Sequence, residues 1–128
     1  MAFVRVSLDS SVPIYRQIVD QLKDLVASQQ LKPGMQLPTV RQLATDLGIA
    51  VNTVARAFRE LEREGIIVTG GRRGSVVAPR DHPRYSEAER YRRLSEALNQ
   101  ALVAGYHLGF SRDEIRQIFE ERLSAFEL

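Results

Sequence analysis

Three observations predict an α+β fold, mainly α, in which a helix-turn-helix is completed by a β-hairpin and followed by two further helices. Apolar side chains recur with helical spacing along most of the 128-residue chain. Two short β-branched runs, Ile66–Thr69 and Ser75–Val77, flank a Gly-rich tip. A Ser or Thr followed three residues later by Glu or Gln, at Thr39–Gln42, Ser86–Glu89 and Ser111–Glu114, marks three helix starts as capping boxes.

In chain order, Val4, Val6 and Leu8 alternate with Phe3, Arg5 and Ser7, which predicts a short N-terminal strand. Ile14, Ile18, Leu22 and Leu25, joined by Val19 and Val26, give an apolar face to a helix that starts near Ser11 and Pro13. Lys32-Pro-Gly-Met35 is a turn, after which Gln36 and Leu37 are placed to form a minimal strand against the hairpin. Pro38 favours an extended Leu37 and separates the next helix, whose stripe is Val40, Leu43, Ala44 and Leu47. Gly48 ends that helix. Beyond the tight turn, Val51, Val54, Phe58 and Leu61 form another apolar stripe, and Gly65 supplies its stop.

This latter helix carries the chemistry. Asn52, Arg56, Arg59 and Arg63 lie opposite the apolar stripe, with Thr53 beside Asn52 at the exposed start. An amide, a hydroxyl and a guanidinium within two turns can bond base edges or phosphates in a DNA major groove; Arg56 suits guanine and Asn52 suits adenine. By itself the unit is equally a plain amphipathic helical hairpin with solvated arginines. The β-hairpin that follows shifts the balance, because its tip is Gly70-Gly-Arg-Arg-Gly74. Such a backbone can approach DNA closely while Arg72 and Arg73 reach phosphate or the minor groove, as the wing of a winged helix does.

Charge agrees with this division. Residues 1–80 hold 11 Lys and Arg against 7 Asp and Glu, net +4, whereas residues 81–128 hold 7 against 9, net −2. The positive half carries the helix-turn-helix. With 44% apolar residues the chain can build one compact DNA-binding domain and an appendage. The sequence contains neither a bilayer-spanning apolar run nor a signal-peptide pattern, so the expectation is a cytoplasmic protein without a membrane partner. There are no cysteines, which removes disulfides and thiolate chemistry.

The domain organisation expected is a winged helix-turn-helix over residues 1–78, a Pro-containing linker over 79–85 and a two-helix region over 86–128. The first C-terminal helix shows Tyr91, Leu94, Leu98, Leu102 and Gly105 on one face, with Gly109 as its stop; the second carries Ile115, Ile118, Phe119 and Leu123. Two helices of this size cannot bury both apolar faces against each other alone. The DNA-binding domain of the same chain or a second copy could supply the missing surface; a symmetric dimer is favoured, with Tyr91, Leu94, Leu98, Leu102, Ile115, Ile118 and Phe119 as its candidate residues, since paired recognition helices suit a palindromic site.

The order of helix, Pro-Gly turn, helix-turn-helix and wing resembles the GntR family of bacterial transcription regulators over Pro13 to Val77. The matching segments are Pro13–Ile18, Leu31-Lys-Pro-Gly-Met-Gln-Leu-Pro38, Val40-Arg-Gln-Leu-Ala44, Asn52-Thr-Val54, Leu61-Glu-Arg-Glu-Gly-Ile66 and Gly71-Arg-Arg-Gly74. The resemblance implies that Arg41, Thr53 and Gly74 contact DNA, with Arg72 and Arg73 similar by their place in the wing. The candidate DNA-binding set is thus Thr39, Arg41, Asn52, Thr53, Arg56, Arg72, Arg73 and Gly74. Val51 and Ala55 depart from the family's frequent arginines, and Arg56, one place along, is the candidate substitute. Because a bidentate arginine contact discriminates bases by about 1–3 kcal/mol, the operator sequence does not carry over. The C-terminal pair is similar to the YtrA subfamily through Gly105, Phe110 and Ser111–Ile115, which implies homodimerisation and repression of neighbouring genes, often transporter genes.

Two other classes compete. An enzyme finds little support: His82 and His107 are the two histidines, no metal cage is evident, and the wing glycines lack a following Gly-Lys-Ser or Gly-Lys-Thr. No cofactor or metal is expected. A winged-helix module that docks on protein is the alternative, against which stand Arg72 and Arg73 beside exposed Arg41 and Arg56. A small-molecule effector, whose chemistry the sequence does not identify, could switch a dimer by changing the relation between its halves.

Overall fold

Ile18, Val19 and Leu22 recur on one side of α1 (Ile14–Ala27), and the helix buries them completely. The computed structural model describes residues 4–69, 74–80 and 85–126, which fall into two compact units, Met1–His82 and Pro83–Leu128. In the first unit, α1, α2 (Val40–Leu47) and α3 (Val51–Arg63) enclose a core of Ile18, Leu22, Leu31, Leu43, Val54 and Leu61, with α3 packed on both of its neighbours. A 2.9 Å ion pair from Lys23 Nζ to Glu64 Oε1 ties α1 to the end of α3.

Residues 4–7 do not form the expected strand. The segment is held by two glutamine side chains of α1. Gln21 accepts from the Arg5 amide at 2.9 Å and donates to its carbonyl at 2.6 Å, while Gln17 accepts from the Ser7 amide at 2.8 Å and donates to its carbonyl at 3.0 Å. The pitches explain the match: four helical residues rise about 6 Å, and two extended residues span about 6.6 Å. Glutamines one turn apart therefore serve alternate residues as a neighbouring strand would. Val4 is buried in the core, but Leu8, part of the same alternation, is 82% exposed because the chain has already turned away.

The helix-turn-helix follows its local signals closely. The Thr39 hydroxyl accepts from the Gln42 amide at 3.1 Å, and Gln42 Oε1 accepts from the Thr39 amide at 2.9 Å, closing the capping box. Gly48, at φ +67°, takes the left-handed conformation that ends α2 and permits the immediate restart at Val51. Val51, expected in the apolar stripe, is instead 39% exposed; the first turn of α3 projects past the cover of α1 and α2, and Ala57 completes the buried face.

Strands β1 (Ile67–Thr69) and β2 (Ser75–Val77) pair antiparallel with Ile67 opposite Val77 and Thr69 opposite Ser75. Gln36 adds an antiparallel bridge to Val76, as expected for a minimal strand. Three backbone hydrogen bonds of 2.9 Å, Gly34 to the Val77 carbonyl, Val77 to the Met35 carbonyl and Leu37 to the Ser75 carbonyl, fasten the approach to α2 onto β2.

The second unit is α4 (Glu87–His107) and α5 (Arg112–Ser124). Ser111 and Glu114 form a full capping box at the start of α5. At α4 the expected box is only half made: Ser86 accepts from the Glu89 amide at 3.2 Å, but the Glu89 carboxylate turns to Arg92 and to Arg93 Nε at 3.1 Å. Gly109 ends α4 as expected, with Phe110 donating to the Gly105 carbonyl at 3.0 Å and Gly109 to that of Tyr106 at 3.0 Å. No helix among the described residues is long and apolar enough to cross a membrane.

Candidate nucleic-acid interface

Helices α2, α4 and α5 each start with a Ser or Thr side chain that satisfies a first-turn amide, whereas α3 starts at Ala50 with no side-chain cap. The Thr53 amide turns back to the Ala50 carbonyl at 3.1 Å. As at α1, which starts at Pro13, no side chain covers the positive end of the helix dipole, and at α3 that end favours an anion. Asn52 stands exposed and Thr53 half-buried on that turn, and Arg56 and Arg59 follow on the exposed side. Together with Ile14 and Tyr15 of α1 these four residues line one open groove. Asn52, Thr53 and Arg56 are thus neighbours, as helical spacing predicts, and Tyr15, for which the sequence pattern predicts no role, joins them.

The arginines of α3 are not equivalent. The Arg56 guanidinium lies over the Tyr15 ring, 3.8 Å from its centroid. Arg63, expected to share the same solvated side, bonds Glu60 Oε2 at 2.6 Å, and that hydrogen bond holds the Glu60 carboxyl below its ordinary range. Arg59 is exposed beside the groove.

Arg41 lies on α2, exposed, in a separate shallow hollow with Pro38, Gln42, Thr45 and Asp46. Thr39 spends its hydroxyl lone pair on the α2 cap, so its part is structural first. Gly74 adopts φ +69° where the hairpin returns into β2. Arg72 and Arg73 lie outside the described residues. No cluster of three or more His, Cys, Asp or Glu that could hold a metal is found among the described residues.

On the second unit, Leu98, Leu102, Ile115, Ile118 and Phe119 line an apolar groove of about 640 Å³ between α4 and α5, joined by Leu108 and Phe110 and edged by Arg112, Arg116 and Arg122. Tyr91 and Leu94 are exposed further along α4, outside that groove. Gly105 is the one buried position among the described residues of this unit, against Ile115.

A helix-turn-helix with an open, arginine-bearing second helix and a hairpin at its back defines a winged-helix DNA-binding protein. The family model of bacterial regulatory proteins, gntR family, matches residues 14–77, and the chain belongs to this family of transcription regulators. It is 35% identical over 118 residues to the HTH-type transcriptional repressor YtrA of Bacillus subtilis, across 92% of this chain and 90% of that one. Among solved structures, YtrA from Sulfolobus acidocaldarius, a GntR-family transcription factor, matches with a TM-score of 0.64 at 34% identity over 80% of this chain and 99% of its own. A transcriptional antiterminator from Listeria monocytogenes matches with a TM-score of 0.77 at 28% identity over 94% and 90% of the two chains. The family consists of regulators and not enzymes.

Proposed function

We propose that the protein is a homodimeric repressor that binds a palindromic operator in the cytoplasm. In this reading α3 enters the major groove, and Asn52, Thr53 and Arg56 meet base edges or the nearest phosphates. Arg41 meets the backbone from α2, while Gly74 with Arg72 and Arg73 serves flanking DNA. The observation that carries the reading is the uncapped, exposed start of α3 with an amide, a hydroxyl and a stacked guanidinium on one face. Likeness to a repressor over nine-tenths of both chains supports the direction of regulation.

The dimer rests on the second unit. Leu98, Leu102, Ile118 and Phe119 are all exposed in the single chain, at 38% to 51%. Leaving such side chains in water forgoes about 25 cal/mol per Å² of apolar surface, and a second copy covers them by a symmetric, self-complementary contact. Tyr91, Leu94 and Ile115 belong to the same proposed interface. A small-molecule effector is compatible with this arrangement.

Fluorescence anisotropy against the gene's own upstream DNA and a shuffled duplex, at two salt concentrations, tests the reading, with sedimentation for the oligomeric state. The expected result is a dimer that binds the upstream palindrome about a thousandfold more tightly than the shuffled duplex. Equal, salt-sensitive binding to both leaves only a basic surface. A monomer that binds neither favours the protein-docking alternative.

A further inference from the structure

We propose that Tyr15 is a positioning residue for sequence readout, its ring stationing the Arg56 guanidinium so that the hydrogen-bonding edge meets a base. The proposal rests on the DNA-binding reading above and names a contributor to it that lies outside the helix-turn-helix.

Three observations place Tyr15 in this role. The first is the contact itself: Arg56 Cζ is 3.8 Å from the centroid, which is van der Waals contact with the face of the ring. A guanidinium spread on an aromatic face is attracted by the ring quadrupole while its N–H groups remain free at the rim. The second is the support under the ring. Tyr15 is half-buried and packs on the core from α1, so the platform is fixed by the fold and is not another mobile surface side chain. The third is the neighbourhood. Arg16 lies 5.4 Å from the same centroid, so a second guanidinium flanks the ring. Glu60, the carboxylate whose field reaches both arginines, hydrogen-bonds Arg63 at 2.6 Å.

The consequence concerns specificity more than affinity. A free arginine on a helix surface finds phosphate readily, because phosphate accepts from many directions. Bidentate recognition of guanine O6 and N7 requires the guanidinium edge in one orientation. Asn52 sits one turn earlier on α3 and opens into the same groove, so a stationed Arg56 and Asn52 present two fixed donors to neighbouring base pairs.

The test uses the full-length protein and duplexes that it selects from a random library. The ratio of affinities for the selected duplex and its single base-pair variants is measured for wild type, Tyr15→Phe, Tyr15→Leu, Arg56→Ala and the Tyr15→Leu/Arg56→Ala double variant. Tyr15→Leu is expected to lower discrimination at one base pair per half-site by about three- to tenfold and to leave the other positions as they were. Tyr15→Phe, which keeps the ring, is expected to restore it. In the Arg56→Ala background Tyr15→Leu is expected to change discrimination no further, even if it also lowers the melting temperature. Independent, multiplicative losses from Tyr15→Leu and Arg56→Ala, or a Phe variant that behaves like Leu, overturn the role of Tyr15 while the DNA-binding reading stands. A wild-type protein that selects no sequence overturns that reading and the Tyr15 role with it.

Discussion

Replacing Gly105 by alanine sets a steric cost against a conformational gain, and the structure decides which is larger. A Cβ at Gly105 would stand 2.7 Å from Cδ1 and 3.1 Å from Cγ1 of Ile115. Ordinary carbon contacts are about 3.5–4.0 Å, so Ile115 has to withdraw by about 1 Å or the helices must part. Overpacking of this kind costs about 1–3 kcal/mol. Alanine recovers up to about 1 kcal/mol through helix propensity, less here because the site lies in the last turn of α4. Cδ1 is the free end of a half-buried side chain and can swing aside, which leaves the approach to Cγ1 as the lasting cost. The clash wins narrowly, and Gly105→Ala is expected to destabilise the second unit by about 1 kcal/mol. Ile115→Val removes Cδ1, the closer atom, at a cost of about 0.5 kcal/mol for a half-buried side chain. In that background Gly105→Ala is expected to be neutral or favourable. Urea unfolding of all four proteins, followed by far-ultraviolet circular dichroism at one fixed protein concentration, reads the coupling between the two sites. Losses that add to within about 0.5 kcal/mol mean that α4 and α5 do not meet at Gly105.

Three further perturbations test other parts of the chain. Thr39→Ala removes the α2 capping box and is expected to cost about 1 kcal/mol in DNA-free urea unfolding, with Thr39→Ser close to wild type; a smaller effect than about 0.3 kcal/mol rejects the cap. Gln29 holds φ +65°, so Gln29→Gly is expected to raise stability by about 1 kcal/mol, and a lower melting temperature contradicts the strain. The hydrogen bond from Arg92, then the charges of Arg92 and Arg93, bring the Glu89 carboxyl from 4.5 down to about 2. Because the folded value is the lower one, the stabilisation is complete above pH 4.5 and disappears as the pH falls towards about 2. The helicity of wild type and Glu89→Gln should therefore differ near neutrality and converge on acidification; a gap that widens in acid refutes the assignment.

What was legible in the sequence was mostly what neighbours along the chain decide. Thr39 and Gln42 satisfy each other across one turn, and Gly48 and Gly109 each supply a left-handed stop, so α2 and the end of α4 follow from a few adjacent residues. The N-terminal alternation predicts a strand that does not form; it does mark Val4 as buried and Val6 as half-buried, but the segment's hydrogen-bond partners come from Gln17 and Gln21 on a helix, which no period-two pattern announces. Glu89 was misread for the opposite reason. Arg92 and Arg93, three and four residues on, compete locally for its carboxylate. At the candidate site, Asn52, Thr53 and Arg56 share a face because helical spacing puts them there. Tyr15 reaches Arg56 only through the packing of α1 on α3, and its placement just off the apolar stripe of α1 was the one available sign.

The hydrogen bonds that join residues 34–37 to β2 make the foot of the hairpin and the entrance to α2 a single bracket. Thr39 and Arg41 begin where the bracket ends on one side, and Gly74 begins where it ends on the other. A load applied at Gly74 is therefore delivered to the start of α2 through main chain alone, with side chains left out of the path. The amides of Leu37 and Val77, on opposite arms of the bracket, should open to solvent exchange together and close together, as one latch.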